Sequence, residues 1–260
     1  MWVSTMRCAM LCLSSYQMPK GRAGVKMAKA AMDTSGVFSF LRTADRDPRS
    51  TALVIRSAIS EPMQRELYRS LCIVARGSNE WTLLTSGTLQ AKDTPSTLCV
   101  WQHPFTGKSS VKKRPDMVLN WANDLVREAA AMVGSGECSG EEHEILCAAL
   151  EAATFDSLVS LLYGDNGSLG LHVDDGLPGI GLSVSLGSSC RMVYGNMEVT
   201  LASGDVTFGP FGGVEHSIQV LHGDTAPCWW AALPELPSFM GPGETSNFSR
   251  ARCSLQIRRN

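Results

Sequence analysis

Apolar and polar positions follow one rhythm up to about residue 155 and another beyond it. In the first part the period is mostly helical. Residues 52–56 (ALVIR) read as a strand. Ser60, with Pro62 in the first turn, then opens a helix whose stripe is Met63, Leu67, Leu71 and Val74, ended by Gly77. Residues 78–113 are polar and turn-rich and predict loops and short hairpins. From Pro115, Val118, Trp121, Ala122, Leu125, Ala129 and Met132 share one helix face, and Gly134 stops it. Ser139 and Glu142 form a capping-box pattern for a third helix carrying Ile145, Leu146, Ala149 and Leu150. After Phe155 the period shortens to two. Short runs at 157–163, 169–174, 180–186, 191–194, 197–201, 206–208, 214–220 and 252–258 are separated by Gly, Asn and Asp. The pattern predicts an α+β chain in which N-terminal helices buttress a C-terminal β barrel or jelly roll. Residues 223–249, rich in Pro and Gly, read as a long loop with apolar lid material at 228–240.

Composition narrows the function classes. At 44% hydrophobic and 18% charged, the 260 residues can bury a sizeable core. A net charge of −2 gives no global field for nucleic acid, so any such contact must be local. Nine cysteines without a C-x-x-C pair read as reduced thiols rather than a disulfide framework. No run of 18 apolar residues exists, so no membrane span is expected. The first 32 residues carry Arg7, Lys20, Arg22, Lys26 and Lys29 and no acid. Residues 1–35 are therefore expected to be a targeting or disordered segment, and 36–260 the folded domain. The expected location is intracellular: an organelle if that segment targets, otherwise nucleus or cytoplasm. A monomer is expected.

Candidate chemistry sits in the run LGLHVD. On a strand, Gly170, His172 and Asp174 share one face, and Leu169, Leu171 and Val173 share the other, expected to pack a core. A histidine and a carboxylate side by side are half of a 2-His-1-carboxylate site, which holds Fe(II) with open positions. A second histidine must come from elsewhere. Of the five in the chain, His216 in the strand-like GGVEHSIQV is preferred and His222 competes. Asp175 competes with Asp174 but falls on the opposite face. Zinc suits the same ligands, so a zinc hydrolase remains an alternative. The terminal run RCSLQIR puts Arg252, Ser254, Gln256 and Arg258 on one face. Arginines facing into a barrel are costly unless an anion answers them, and a dicarboxylate is such an anion. Tyr163 ends the strand before the H-x-D and offers a further donor. The bland alternative for the arginines is an exposed basic tail.

The order Tyr163, His172-x-Asp174, SVSLG (183–187), GDV (204–206), His216, Arg252-x-Ser-x-Gln-x-Arg258 resembles the AlkB-like 2-oxoglutarate and Fe(II)-dependent dioxygenases, over about residues 155–260. The resemblance implies a double-stranded β-helix (jelly-roll) core. It also implies iron on His172, Asp174 and His216, and 2-oxoglutarate held by Arg252 and Tyr163 with Arg258 at the same pocket. O2 is then the third reactant, and the reaction is oxidative demethylation, often at a nucleobase nitrogen. Some positions depart from the family. Leu161 stands where an Asn is usual, and Ser254 and Gln256 where Asn and Thr are usual. The 223–249 loop is long, and where a polar or acidic residue commonly follows the H-x-D pair closely, Asp175 and then Gly176, Leu177 and Pro178 stand here.

A nucleic-acid substrate would use the segment where the family keeps its recognition lid. Trp81, Trp101 and His103 offer stacking, and Lys108, Lys112, Lys113 and Arg114 offer phosphate contacts. A methylated protein, a small lipid-like molecule, or a non-catalytic jelly-roll scaffold stay open as alternatives.

Overall fold

The computed structural model describes residues 38–43, 47–75, 82–83, 96–135, 140–164, 167–174, 176–221, 223, 226–231 and 250–259. In chain order the elements are β1 (Phe38–Leu41), a 3-10 turn (Pro48–Ser50), β2 (Ala52–Ile55), α1 (Glu61–Ala75), β3 (Thr82–Leu83), β4 (Ser96–Trp101), α2 (Asp116–Gly134), α3 (Glu141–Glu151), β5 (Ser157–Tyr163) and β6 (Ser168–His172). They continue with β7 (Gly181–Gly187), β8 (Cys190–Tyr194), β9 (Met197–Leu201), β10 (Val206–Gly209), β11 (His216–Val220), α4 (Cys228–Ala231) and β12 (Arg252–Arg258). Eight strands form one antiparallel sheet in the order β1-β2-β10-β7-β12-β5-β4-β3, and four form a second in the order β6-β11-β8-β9. This is the expected α+β architecture, a double-stranded β-helix backed by helices.

The alternation of side chains sorts the large sheet into two faces. One carries Leu158, Leu162, Leu182, Val184, Leu186, Cys253, Leu255 and Ile257, which pack with Leu67, Leu71, Val118, Leu125 and Ala129 of α1 and α2 in one apolar cluster. The other face lies toward the small sheet. Leu161 and Tyr163 join Cys190, Met192, Tyr194 and Ile218 there in a second cluster. Much of that inner face is small and polar: Ser183, Ser185 and Ser254 are buried on it, and Gly181 and Gly209 pair across it. Short side chains leave the interior partly hollow, and that hollow is where the site forms. Asp205 of the GDV run closes the barrel's far edge. It accepts from Arg56 Nη1 at 2.8 Å, from the Ser57 N–H at 2.8 Å and from the Ala202 N–H at 2.9 Å.

Several expectations need correction. Within residues 78–113, read as loops and short hairpins, β3 and β4 do pair antiparallel, but they also extend the large sheet through β5, and β1 joins its other edge. β4 carries a register shift between Thr97 and Cys99, which breaks the alternation that would have revealed it. The capping-box reading of the third helix rests on Ser139, which lies outside the described residues; the Glu142 carboxylate accepts from Arg42 Nε at 2.7 Å and from Thr51 Oγ1 at 2.6 Å, docking α3 on the first strands. The strict alternation expected for 169–174 also fails: the register of β6 against β11 slips between His172 and Leu169, so Leu169, opposite Ile218, joins the inner face with His172, and Leu171, on this edge strand, is 58% exposed rather than core. Trp229 and Trp230 are not lid material. Both are buried in the helix-side core, with the Trp230 ring 4.8 Å from Tyr68 of α1. Residues 232–249, and the segment 1–37 that holds the expected targeting stretch, lie outside the described residues. No described helix is long and apolar enough to cross a membrane.

Candidate metal centre

His172 ends β6, and His216 begins β11 directly opposite it in the antiparallel register. Cross-strand pairing therefore sets the two imidazoles side by side, with ring centroids 4.3 Å apart and planes tilted by 49°. Each is fixed the same way. His172 Nδ1 donates to Gly170 O at 2.7 Å and His216 Nδ1 donates to Val214 O at 2.9 Å. Both Nε2 atoms are thus left facing inward as lone-pair donors, the arrangement a metal-binding histidine uses. Asp174 comes just after β6 ends, and its backbone N–H donates to Phe211 O at 2.9 Å. Its Oδ1 lies 3.5 Å from His172 Nε2 and 3.8 Å from His216 Nε2. Ligand atoms of His172, Asp174 and His216 all lie within 4.8 Å of one another, so the group can hold a metal ion. The competitors His222 and Asp175 lie outside the described residues.

Electrostatics separate the three. Burial alone would raise the Asp174 pKa, but the hydrogen bond with His172 and the Arg258 charge hold it well below the usual carboxylate range. His216 is pulled down to about 4, chiefly by burial. His172 moves the other way. Burial lowers it too, but its hydrogen bond to Asp174 and its greater exposure leave it raised. The two histidines flank one carboxylate yet shift oppositely: once protonated, His172 gains a hydrogen bond to Asp174, whereas His216 is the more deeply buried.

The two arginines of β12 are both buried, at 0% and 5% exposure, which excludes the exposed-tail reading; Arg259 alone is exposed. Their surroundings differ. Arg258 Nε donates to Asp174 Oδ2 at 2.9 Å, and its Nη1 donates to Leu182 O at 2.8 Å and Ile257 O at 3.1 Å. Its Nη2 lies 2.9 Å from Asp174 Oδ2 and donates to Gln256 Oε1, and the guanidinium carbon stands 4.5 Å from the Phe211 ring centroid. Arg252 makes one bond, Nη2 to Ser185 Oγ at 2.8 Å. Its Nε and Nη1 have no hydrogen-bond partner among the described residues, and neither has the hydroxyl of Tyr163, its direct cross-strand neighbour. Burial pushes the Tyr163 pKa up, so that hydroxyl stays a donor. A fully buried cation beside unfilled donors calls for an anion. The residues therefore fit a carboxylate at Arg252 and a metal at the triad.

A cavity of about 400 Å³ lies over the triad, walled by apolar residues that include Leu161, Leu169, Met192, Phe211 and Ile218, with His103 and Phe105 also lining it. Ser183, Gln256 and Arg258 supply polar groups from the large sheet. Arg252 and Tyr163 do not line it; they stand in the cross-strand row next to Leu161, which does. Register and burial place this pair beneath the cavity's inner end. Sequence reading missed Phe211, and it noted Leu177 only as a departure after the H-x-D pair, not as part of the lining. It found Gln256 only as an inward position on an alternating strand. Of the expected nucleic-acid contacts, Lys108, Lys112 and Lys113 are exposed on the loop that bears His103 and Phe105. Arg114 is paired with Asp116 at 3.3 Å, Trp101 packs against the helix-side core, and Trp81 lies outside the described residues.

A helix-backed double-stranded β-helix with a His-x-Asp and a distant His at its mouth is the architecture of the AlkB-like 2-oxoglutarate and Fe(II)-dependent oxygenases, and the chain has that fold. Among solved structures, OsALKBH1 superposes with a TM-score of 0.59 at 18% identity, covering 85% of this chain and all (100%) of that one. A 2OG-Fe(II) oxygenase family oxidoreductase from Burkholderia pseudomallei matches more loosely, with a TM-score of 0.40 and 8% identity over 80% of this chain and 84% of that one. Among curated proteins, a "Probable lanosterol 14-alpha demethylase" of Acanthamoeba polyphaga mimivirus is 25% identical over 213 residues, 80% of this chain. The match spans only 26% of that protein's length. No protein-family model matches the chain.

Proposed function

We propose that the chain is an Fe(II)- and 2-oxoglutarate-dependent dioxygenase that oxidatively demethylates its substrate, with an N-methylated nucleobase in DNA or RNA as the preferred target. The observation that carries this reading is the pairing of two unmet needs in one barrel. A three-ligand group stands open at the mouth, and a buried, unanswered Arg252 with the Tyr163 hydroxyl stands beneath it. A zinc hydrolase has use for the first and none for the second.

In this reading His172, Asp174 and His216 hold the iron, and Arg252 and Tyr163 take the remote carboxylate of 2-oxoglutarate. When bound there, iron with 2-oxoglutarate would supply the chemistry that makes O2 an oxidant for a C–H bond, with succinate and CO2 as by-products. The chain's own work is binding, orientation and shielding. Leu161, Leu169, Met192 and Ile218 keep water from the reacting centre. A hydroxylated N-methyl group breaks down to formaldehyde and the bare nitrogen, so no further protein group is needed for release.

Support for a nucleobase comes from the rim. His103 and Phe105 line the cavity with ring centroids 5.6 Å apart, and Phe105 is 58% exposed, an apolar face on which a flipped base stacks. Lys108, Lys112 and Lys113 stand on the same loop to meet phosphates.

The test is anaerobic titration of the purified chain with Fe(II) and 2-oxoglutarate, following the weak visible charge-transfer band of the chelate. The band is expected in the wild type and lost in His216→Ala. A folded, metal-loaded protein that forms no band would point to a zinc site or a scaffold. Methylated oligonucleotides, peptides and small molecules are then compared by formaldehyde release.

A further inference from the structure

The cavity over the triad holds few polar groups that are still free. Of its described lining residues Asp174 is the one carboxylate, and Arg258 Nε already answers it at 2.9 Å. Gln256 Nε2 donates to Ser183 Oγ at 3.2 Å and to Ser254 Oγ at 2.8 Å, and its Oε1 accepts from Arg258. Ser183 Oγ also lies 3.3 Å from Ser254 Oγ. His172 and His216 belong to the triad. That leaves His103, whose Nε2 makes no hydrogen bond among the described residues.

Its own loop holds the His103 ring in one form. The Phe105 N–H donates to His103 Nδ1 at 3.2 Å, so Nδ1 carries a lone pair and the proton sits on Nε2. The ring is therefore neutral and offers a donor. The loop is closed around it. The His103 N–H donates to Lys108 O at 2.8 Å, and His103 O accepts from the Thr106 and Gly107 N–H groups at 3.0 Å and 2.7 Å. The Gln102 N–H donates to Ser109 Oγ at 3.1 Å, and Gln102 itself takes a left-handed φ of 46°, which a non-glycine residue keeps only where its surroundings impose it. Phe105 of this loop, which follows β4 of the large sheet, and Leu171 of the small sheet's edge strand both line the cavity, and both are 58% exposed. Large apolar side chains left in water beside a cavity offer faces for a flat partner.

We propose that the site takes an uncharged methylated base with ring carbonyls, 3-methylthymine or 3-methyluracil, in preference to a cationic one such as 3-methylcytosine, and that His103 Nε2–H is the donor that reads a carbonyl. The proposal rests on the nucleobase reading above and narrows it. Methylation at N3 of thymine replaces a proton and leaves the ring neutral, with a carbonyl on each side of the methyl group. The same methylation of cytosine leaves a cation near neutral pH. In this cavity a cation meets apolar walls and no free carboxylate among the described residues. The filled site repels it too, since Arg252, Arg258 and a divalent metal outweigh Asp174 and a dicarboxylate. A neutral base escapes both costs, and its carbonyl gives the His103 donor an acceptor.

The test uses the full chain with Mn(II) and 2-oxoglutarate bound, and fluorescence anisotropy of short DNA single strands that differ only in the methylated base. Near neutral pH the 3-methylthymine strand should bind at least about tenfold more tightly than the 3-methylcytosine strand. Above the pKa of the methylated cytosine, where that base is neutral, the gap should largely close. His103→Phe should weaken the 3-methylthymine strand by about 2- to 10-fold, the net worth of one hydrogen bond, and His103→Gln, which restores an N–H donor, should recover most of it. Phe105→Ser should weaken both strands alike by roughly tenfold, because stacking does not read the base edge. Nitrogen NMR of the free protein should show His103 protonated at Nε2. Equal or tighter binding of the 3-methylcytosine strand near neutral pH, or a preference that pH leaves unchanged, overturns the choice of a neutral base. A proton on Nδ1, or wild-type affinity in His103→Phe, overturns the role of His103. The strand comparison and the NMR need no variant, so both parts are decided even if His103→Phe does not fold. A wild-type chain that binds methylated and unmethylated strands alike would defeat the nucleobase reading itself, whereas a reversed preference would defeat only this proposal.

Discussion

Replacing Arg252 with methionine should make the protein more stable and less able to bind 2-oxoglutarate. Arg252 is fully buried, carries a permanent charge, and satisfies only Nη2. Tyr163 beside it cannot serve as counter-ion, because burial keeps its hydroxyl protonated. Exchanging a poorly answered buried charge for an apolar side chain of similar length typically gains about 1–4 kcal/mol. In a chain of this size each kcal/mol moves Tm by about 2–4 °C. The affinity works in the opposite sense. Two unfilled donors, each making a charge-assisted bond of about 1.5–3 kcal/mol to a carboxylate, amount to roughly 3–6 kcal/mol, or about a 10²- to 10⁴-fold loss. Thermal unfolding with Mn(II), with and without 2-oxoglutarate, reads both effects at once. Without co-substrate the Met variant should melt higher. At about 100 times the wild-type Kd, 2-oxoglutarate should add about 2.7 kcal/mol to the wild type and almost nothing to the variant, so the gap should narrow or reverse. A variant that melts lower than wild type without co-substrate, or that keeps the ligand's stabilisation, would refute the role of Arg252 as an anion receptor held at the expense of stability.

Two further outcomes follow from the same structure. A Cβ on Gly212 would lie 2.0 Å from Leu177 O and 3.1 Å from Asp174 O, both backbone atoms that cannot turn aside. Gly212→Ala should therefore displace the segment after Asp174, costing about 1–3 kcal/mol and weakening Mn(II) binding by about tenfold or more; a variant with wild-type Tm and metal affinity would show that the approach is not required. Glu128 on α2 is raised to about 7, first by burial and then by Asp124, and its Oε2 has no partner among the described residues. Its folded pKa lies above its unfolded value, so its contribution is complete at low pH and is lost as pH rises toward about 7. Glu128→Gln should thus match wild type near pH 4.5 and exceed it at pH 8 by about 1–2 kcal/mol, discounted for partial exposure; an equal Tm difference at both pH values would remove Glu128 as the cause.

The periodicities of the chain by themselves determined much of this protein. Period-3.6 stripes placed α1 and α2, because one face of each had to be buried. Period-2 runs placed most of the barrel strands, and they set Arg252, Ser254, Gln256 and Arg258 on one face and Cys253, Leu255 and Ile257 on the other. Local pattern reports which way a side chain points, since that depends only on its own backbone. It does not report what stands opposite. Only the β6–β11 register put His216 against His172, and the slip in that register on an edge strand turned Leu169 inward and left Leu171 exposed. The bulge in β4 hid a strand from its own alternation. Trp229 and Trp230 read as lid material because nothing near them in sequence shows that α1 covers them. The deepest difference lies in β12. Its sequence makes two arginines equivalent, and the fold separates them: Asp174 and Gln256 meet one guanidinium, while the other faces the Tyr163 hydroxyl with donors left unfilled. Which groups answer a buried charge depends on strands far apart in the chain, so tertiary structure alone decided it.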